Sequence, residues 1–130
     1  MGKPSKIVLV DDNHTTNFLN KMVIERSTIQ TEVITFDNPV EGLESLTKQK
    51  SMMHNWLIFL DINMPVMDGW AFADAYAALE VDESNVLVML TSSVDPRDEE
   101  RARNHDVIKD YRTKPLTFDI LDELAEIYFH

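Results

Sequence analysis

Apolar residues are bunched into short runs separated by longer amphipathic stretches. Four runs rich in branched side chains stand at 7–10 (IVLV), 33–36 (VITF), 56–60 (WLIFL) and 86–90 (VLVML), with a weaker fifth at 110–113. Three of them are almost solidly apolar rather than alternating. Strands read that way when both faces of their sheet are covered, as in a parallel sheet.

Helical spacing fills the intervals. Phe18, Leu19, Met22 and Val23 form one stripe, and Val40, Leu43 and Leu46 a second. Phe72, Ala75, Tyr76 and Leu79 form a third, and Ile120, Leu121, Leu124, Ile127 and Tyr128 a fourth. Asn38-Pro39 with Glu41, Asp95-Pro96 and Thr117 supply helix starts: a side chain that caps, and in two cases a proline whose missing N–H is no loss at the first turn. The stretch 96–104 is helical in composition, but Ala102 is its sole apolar residue. It is expected to be the least firmly packed helix and the one most able to move. The β-α alternation, five times over, predicts an α/β fold: one parallel sheet with helices on both faces and right-handed crossovers, in a single domain over residues 1–130.

Composition removes several kinds of function. The 130 residues carry 23 acids against 12 bases, a formal net charge of −11, which repels a nucleic-acid backbone or an anionic lipid surface. No direct nucleic-acid or membrane role is expected. No apolar run is long enough to span a bilayer, and the first residues lack the apolar core of a signal segment. Cysteine is absent, which excludes disulfides, thiolate metal sites and cysteine nucleophiles and suits a cytoplasmic setting. Three glycines, at 2, 42 and 69, cannot build a glycine-rich nucleotide cradle.

In open α/β sheets, ligands gather beyond the carboxyl ends of the strands. Asp11 and Asp12 follow the first strand, Asp61 and then Asn63 the third, Thr91 to Ser93 the fourth, and Lys114-Pro115 the fifth. If the first and third strands are neighbours, ~4.8 Å apart, three carboxylates crowd together and repel strongly. A hard divalent cation relieves this, and an all-oxygen donor set selects magnesium or a relative such as manganese over zinc. The fifth strand would lie roughly 10 Å from the third, within most of the reach of a lysine stem. Each residue alone has a plainer reading: an Asp after a strand usually caps a helix, and Lys114 could be a surface charge. The conjunction at four strand ends is much harder to dismiss.

Four pieces, IVLVDDN at 7–13, FLDINMPVMDG at 59–69, LTSS at 90–93 and YRTKPL at 111–116, occur in the order and separation found in receiver domains of two-component response regulators. The chain resembles that family over nearly its whole length. The resemblance implies a flavodoxin-like (βα)5 doubly wound sandwich with strand order 2-1-3-4-5. It implies that Asp61 is the phosphoacceptor and that Asp12, Asp61 and the backbone carbonyl of Asn63 bind Mg²⁺, with Asp11 acting through a metal-bound water. Thr91 would hydrogen-bond the phosphoryl group, Lys114 would pair with it, and Tyr111 would be the switch aromatic. The family also usually has a cis peptide at the Lys-Pro step. Implied partners are a sensor histidine kinase or a histidine phosphotransfer protein and an unknown downstream protein, the chain being a monomer or a phosphorylation-dependent dimer.

None of the four histidines sits in a phosphohistidine motif, and His14 reads as an exposed helix-start residue. Arg112 departs from the family where an apolar residue is common, so the fifth strand is expected to be more exposed there or to bind a partner. Asn63 and Ser93 occupy positions that tune phosphoryl lifetime in the family. On this reading the chain is a signalling phosphoacceptor rather than an enzyme. Three rivals remain open: a haloacid-dehalogenase-like phosphatase, a degenerate receiver that only binds, and a receiver cut from a larger regulator or hybrid kinase. The phosphatase motif has a second Asp two residues after its nucleophile, where this chain has Asn63.

Overall fold

A computed structural model describes residues 2–130. The elements run β1 (Lys6–Val10), α1 (His14–Arg26), β2 (Glu32–Phe36), α2 (Pro39–Gln49), a 3-10 turn (Lys50–Met52), β3 (Trp56–Leu60), α3 (Gly69–Leu79), β4 (Val86–Thr91), α4 (Pro96–Arg103), β5 (Ile108–Thr113) and α5 (Phe118–Tyr128). All five strands are parallel, in the order β2-β1-β3-β4-β5. This is the flavodoxin-like arrangement the resemblance implied.

The solid apolar runs have the expected cause. Every residue of β3 and β4 is buried. Successive side chains point to opposite faces, so Val8, Val10, Ile58, Leu60, Leu87 and Met89 join one core with α2, α3 and Ala102 of α4. Ile7, Leu9, Leu57, Phe59, Val88 and Leu90 join the other with Ile24 of α1 and Leu121 and Leu124 of α5. The outer strands β2 and β5 are only partly buried. The anticipated caps are made: Asn38 accepts from Val40 and Glu41 N–H, Asp95 from Arg97 N–H, and Thr117 from Ile120 N–H.

Three readings need correction. The stripe assigned to α1 meets the core only in part: Val23 packs against it, but Phe18 is 58% and Leu19 53% exposed, while Asn17, Asn20 and Ile24 are buried. Asn17 turns inward because its amide Nδ2 donates to the carbonyls of Asp11 (2.8 Å) and Phe36 (3.2 Å), just past the ends of β1 and at the end of β2. Arg112 is also less exposed than expected. Its guanidinium pairs with Glu123 on α5 and with Asp110 on its own strand, and its side chain is 19% exposed. Strand β5 also begins two residues earlier than the sequence suggested, at Ile108.

Helix α4 is as thinly anchored as its composition indicates, with Ala102 its one buried residue. Burying a Leu is worth roughly 1.5–3 kcal/mol, and α5 has two buried leucines where α4 has none. Polar contacts hold α4 to α3 instead. The Arg101 guanidinium lies 4.3 Å from the Trp70 ring centroid, and His105, just beyond α4, bonds Asp74 at 2.8 Å.

Gly69 fixes the start of α3 against the end of β3. Its N–H donates to the Ile62 carbonyl at 2.7 Å, and a Cβ there would stand 2.4 Å from the Asp61 carbonyl oxygen and 2.8 Å from Ile62 Cα. Backbone cannot yield as a flexible side chain does. Gly69→Ala is therefore expected to cost on the order of 1–3 kcal/mol, read as a lower urea midpoint at unchanged slope.

Candidate functional site

The strand ladder extends past the strands themselves and clamps the backbone of three candidate residues. Asp11 N–H donates to the Phe36 carbonyl (3.1 Å), Asp61 N–H to the Val10 carbonyl (3.0 Å) and Lys114 N–H to the Thr91 carbonyl (2.8 Å). Side chains from three different loops are thus directed to one rim with little backbone freedom. The Lys114-Pro115 peptide is cis, as the resemblance implied.

On that rim Asp11, Asp12 and Asp61 each offer a carboxylate oxygen, all within 4.8 Å of one another. Asp11 and Asp61 are buried at 5% and 7% exposure, whereas Asp12 is exposed. Lys114 Nζ approaches both buried acids, at 2.5 Å from Asp11 Oδ2 and 3.6 Å from Asp61 Oδ2. Its shorter contact is thus to Asp11, although the resemblance pairs it with a group on Asp61. One ammonium cannot balance three carboxylates, so the cluster stays negative. Burial and the neighbouring charge of Asp11 push the Asp61 carboxyl above its ordinary pKa, while Lys114 and, less strongly, the nearby Ile62 N–H and Thr91 hydroxyl pull it back in part.

The cap reading of the first acid pair is replaced. Asn13, not Asp11 or Asp12, caps α1 through Thr16 N–H. Asp11 Oδ1 instead accepts from Asn13 N–H at 2.8 Å, which orients that carboxylate. Thr91 is fully buried at the end of β4, and its hydroxyl accepts from Ser93 N–H at 3.3 Å. Tyr111 is buried at 8% exposure, less open than a half-buried edge aromatic, and its hydroxyl donates to the Ser93 carbonyl at 3.1 Å. Ser93 Oγ in turn donates to Asp98 of α4 at 2.6 Å, so the loop after β4 joins Tyr111 to α4. Asn63 follows Asp61 by two residues with its side chain exposed. His14 stays outside the cluster, exposed and 3.7 Å from Asp37.

Three participants escaped the sequence reading. Asn17 and Asn20 line a small cavity under the acids. Both are weak helix formers inside a helix, which is the signal that marks them. The stacking of Arg101 on Trp70 has no comparable signature, because its partners come from different helices.

Residues 7–126 match the family described as response regulator receiver domain. No match was found among curated protein sequences. Among solved structures, a response regulator receiver protein from Dyadobacter fermentans is 28% identical, with 95% of this chain and 96% of that chain covered and a TM-score of 0.86. A two component response regulator from Cytophaga hutchinsonii is likewise 28% identical, covers 97% of each chain and has a TM-score of 0.88. A Vibrio cholerae chemotaxis protein, 21% identical with a TM-score of 0.77 over 97% of this chain and 99% of that one, shares the fold. The match across the core and the rim motifs places this chain in the response regulator receiver domain family of two-component signalling.

Proposed function

We propose that Asp61 accepts a phosphoryl group from a phosphohistidine on a sensor histidine kinase or histidine phosphotransfer protein. The observation that carries this is the convergence of Asp11, Asp12 and Asp61 within 4.8 Å, with the Lys114 amine 3.6 Å from Asp61. Crowded, all-oxygen and under-neutralised, the acids suit Mg²⁺ or Mn²⁺. Asp12, Asp61 and the Asn63 carbonyl would hold the ion directly, and Asp11 through water. When bound, the ion supplies charge neutralisation on the transferring phosphoryl oxygens.

An Asp61 carboxylate oxygen attacks phosphorus in line. An O–P bond forms as the N–P bond of the donor breaks, and the electron pair of that bond returns to the imidazole. Lys114 favours the ionised nucleophile and then faces the new dianion, with Thr91 supplying a hydroxyl. Movement of Thr91 toward the phosphoryl group disturbs the loop that Ser93 shares with Tyr111 and Asp98, so the α4-β5-α5 face changes shape and signals to a downstream protein. The rival phosphatase reading lacks its acid/base: Asn63 has no proton to cycle. We therefore read the chain as a phosphoacceptor, not a turnover enzyme.

Trp70 offers a direct test. It is buried at 6% exposure, follows Gly69, which abuts Asp61, and carries Arg101 of α4 on its ring. Trp56 starts β3, at the far end from Asp61. In a Trp56→Phe background, beryllofluoride with Mg²⁺ is expected to change Trp70 emission, Mg²⁺ omission to abolish that change, and Asp61→Asn to eliminate it. An equal response in Asp61→Asn would exclude Asp61 as the acceptor.

The raised pKa of Asp61 makes a second prediction. The folded chain holds this proton more tightly than the unfolded chain, whose carboxyl ionises near 3.8. Above that value the unfolded state releases its proton first, so stability falls as pH rises until folded Asp61 has also ionised. Asp61→Asn removes that penalty. In metal-free buffer at neutral pH the variant is expected to melt higher than wild type, with the difference shrinking as pH falls through the folded pKa toward 3.8 and largely gone below it. Mg²⁺ at about 100 times its Kd should stabilise the wild type by about 2.7 kcal/mol and the variant much less. Identical melting curves in metal-free buffer would refute the charge crowding.

A further inference from the structure

Two buried oxygens beside the rim have no protein hydrogen-bond partner, Asp61 Oδ1 and Asn17 Oδ1. Both residues line the same small cavity of about 10 Å³ beneath the acid cluster, and Asp11 and Asn20, the latter 7% exposed, add two more polar side chains to its wall. The orientation of Asn17 is settled by its neighbours. Its Nδ2 donates to two carbonyls, at 2.8 Å and 3.2 Å. A flipped amide would set an oxygen against both carbonyls, so Oδ1 is the atom left over.

Two orphaned acceptors require a species with two donors. A cavity of roughly 10–15 Å³ accommodates one water and little else. A water has two protons to give and two lone pairs to receive, one of which suits the Asn20 amide. We infer that a single water molecule bridges Asp61 Oδ1 and Asn17 Oδ1 in this cavity, making Asn17 and Asn20 positioning residues for Asp61. The role rests on the phosphoacceptor reading. Held at Oδ1, the carboxylate resists rotation, and Oδ2, 3.6 Å from Lys114 Nζ, stays directed at the rim.

The water is tested first in the unphosphorylated full chain, by a crystal structure at near-atomic resolution and by NMR cross-relaxation between water and the Asn17 side-chain amide. The expected result is one ordered, slowly exchanging water bonded to both oxygens. An empty cavity, or a water touching only one of them, overturns the bridge. Function is tested with acetyl phosphate and saturating Mg²⁺. Asn17→Leu also loses two backbone bonds and can fail to fold, so Asn20→Leu carries the test, with Asn20→Ser as the polar control. Losing one water-mediated bond of ordinary strength should lower the maximal phosphorylation rate by about fivefold in Asn20→Leu. The half-saturating acetyl phosphate concentration should not change, and Asn20→Ser should stay close to wild type. An unchanged maximal rate in folded Asn20→Leu overturns the positioning role. A wild type that is never phosphorylated on Asp61 overturns the functional reading and that role together, while density and NMR still decide whether the water is there.

Discussion

Like charges held closer than they would choose are the constraint around which this rim is built. Carboxylates from the ends of two adjacent strands meet within 4.8 Å, two of them largely out of water. No sequence of loops would leave them so unless the backbone had no alternative. The ladder supplies that rigidity, because Asp11 and Asp61 are each hydrogen-bonded through N–H to the carbonyl of a neighbouring strand. Lys114 offsets part of the repulsion, and what is left over is an affinity for further positive charge.

The polar face of α1 follows from the same arrangement. Asp11 lies past the end of β1, where its carbonyl has no further strand to accept from, while the Phe36 carbonyl already accepts from Asp11 N–H. An apolar residue at position 17 would bury the Asp11 carbonyl without a donor, at a cost of about 1–3 kcal/mol. Asn17 bonds both carbonyls from one amide. The exposure of Phe18 and Leu19 is the consequence, since a helix turned to present positions 17, 20 and 24 cannot also bury 18 and 19.

That trade explains what could be read from the residues alone. Strand positions were legible because β1, β3 and β4 are buried on both faces and so are apolar without interruption. The rim was legible because its members sit at fixed offsets from those strands: Asp61 directly after Leu60, Thr91 closing β4, Lys114 directly after β5. The inward face of α1 was not, because periodicity arguments assume that buried means apolar, and here a side-chain amide that bonds the Asp11 and Phe36 carbonyls holds an inward position. Arg112 was misjudged for a related reason. A charged residue on an edge strand looks exposed, and nothing local shows that Glu123, eleven residues on, returns on α5 to meet it.

The polar attachment of α4 bears on how a local event at Asp61 can have a distant effect. Apolar packing is non-directional and lost gradually, whereas an ion pair or a stacked guanidinium is lost over a small displacement. Helix α5 is anchored by Leu121 and Leu124, but α4 has Ala102 and then Arg101 on Trp70, with His105 on Asp74 just past its end. Trp70 follows the glycine whose N–H is bound to Ile62 and whose missing side chain leaves room for the Asp61 carbonyl. A shift of that backbone therefore reaches the Arg101 contact through two residues of chain, and Ser93 reaches Asp98 by an independent route from Thr91. Two short polar paths from one rim to one thinly packed helix concentrate any rearrangement there and spare the two apolar cores.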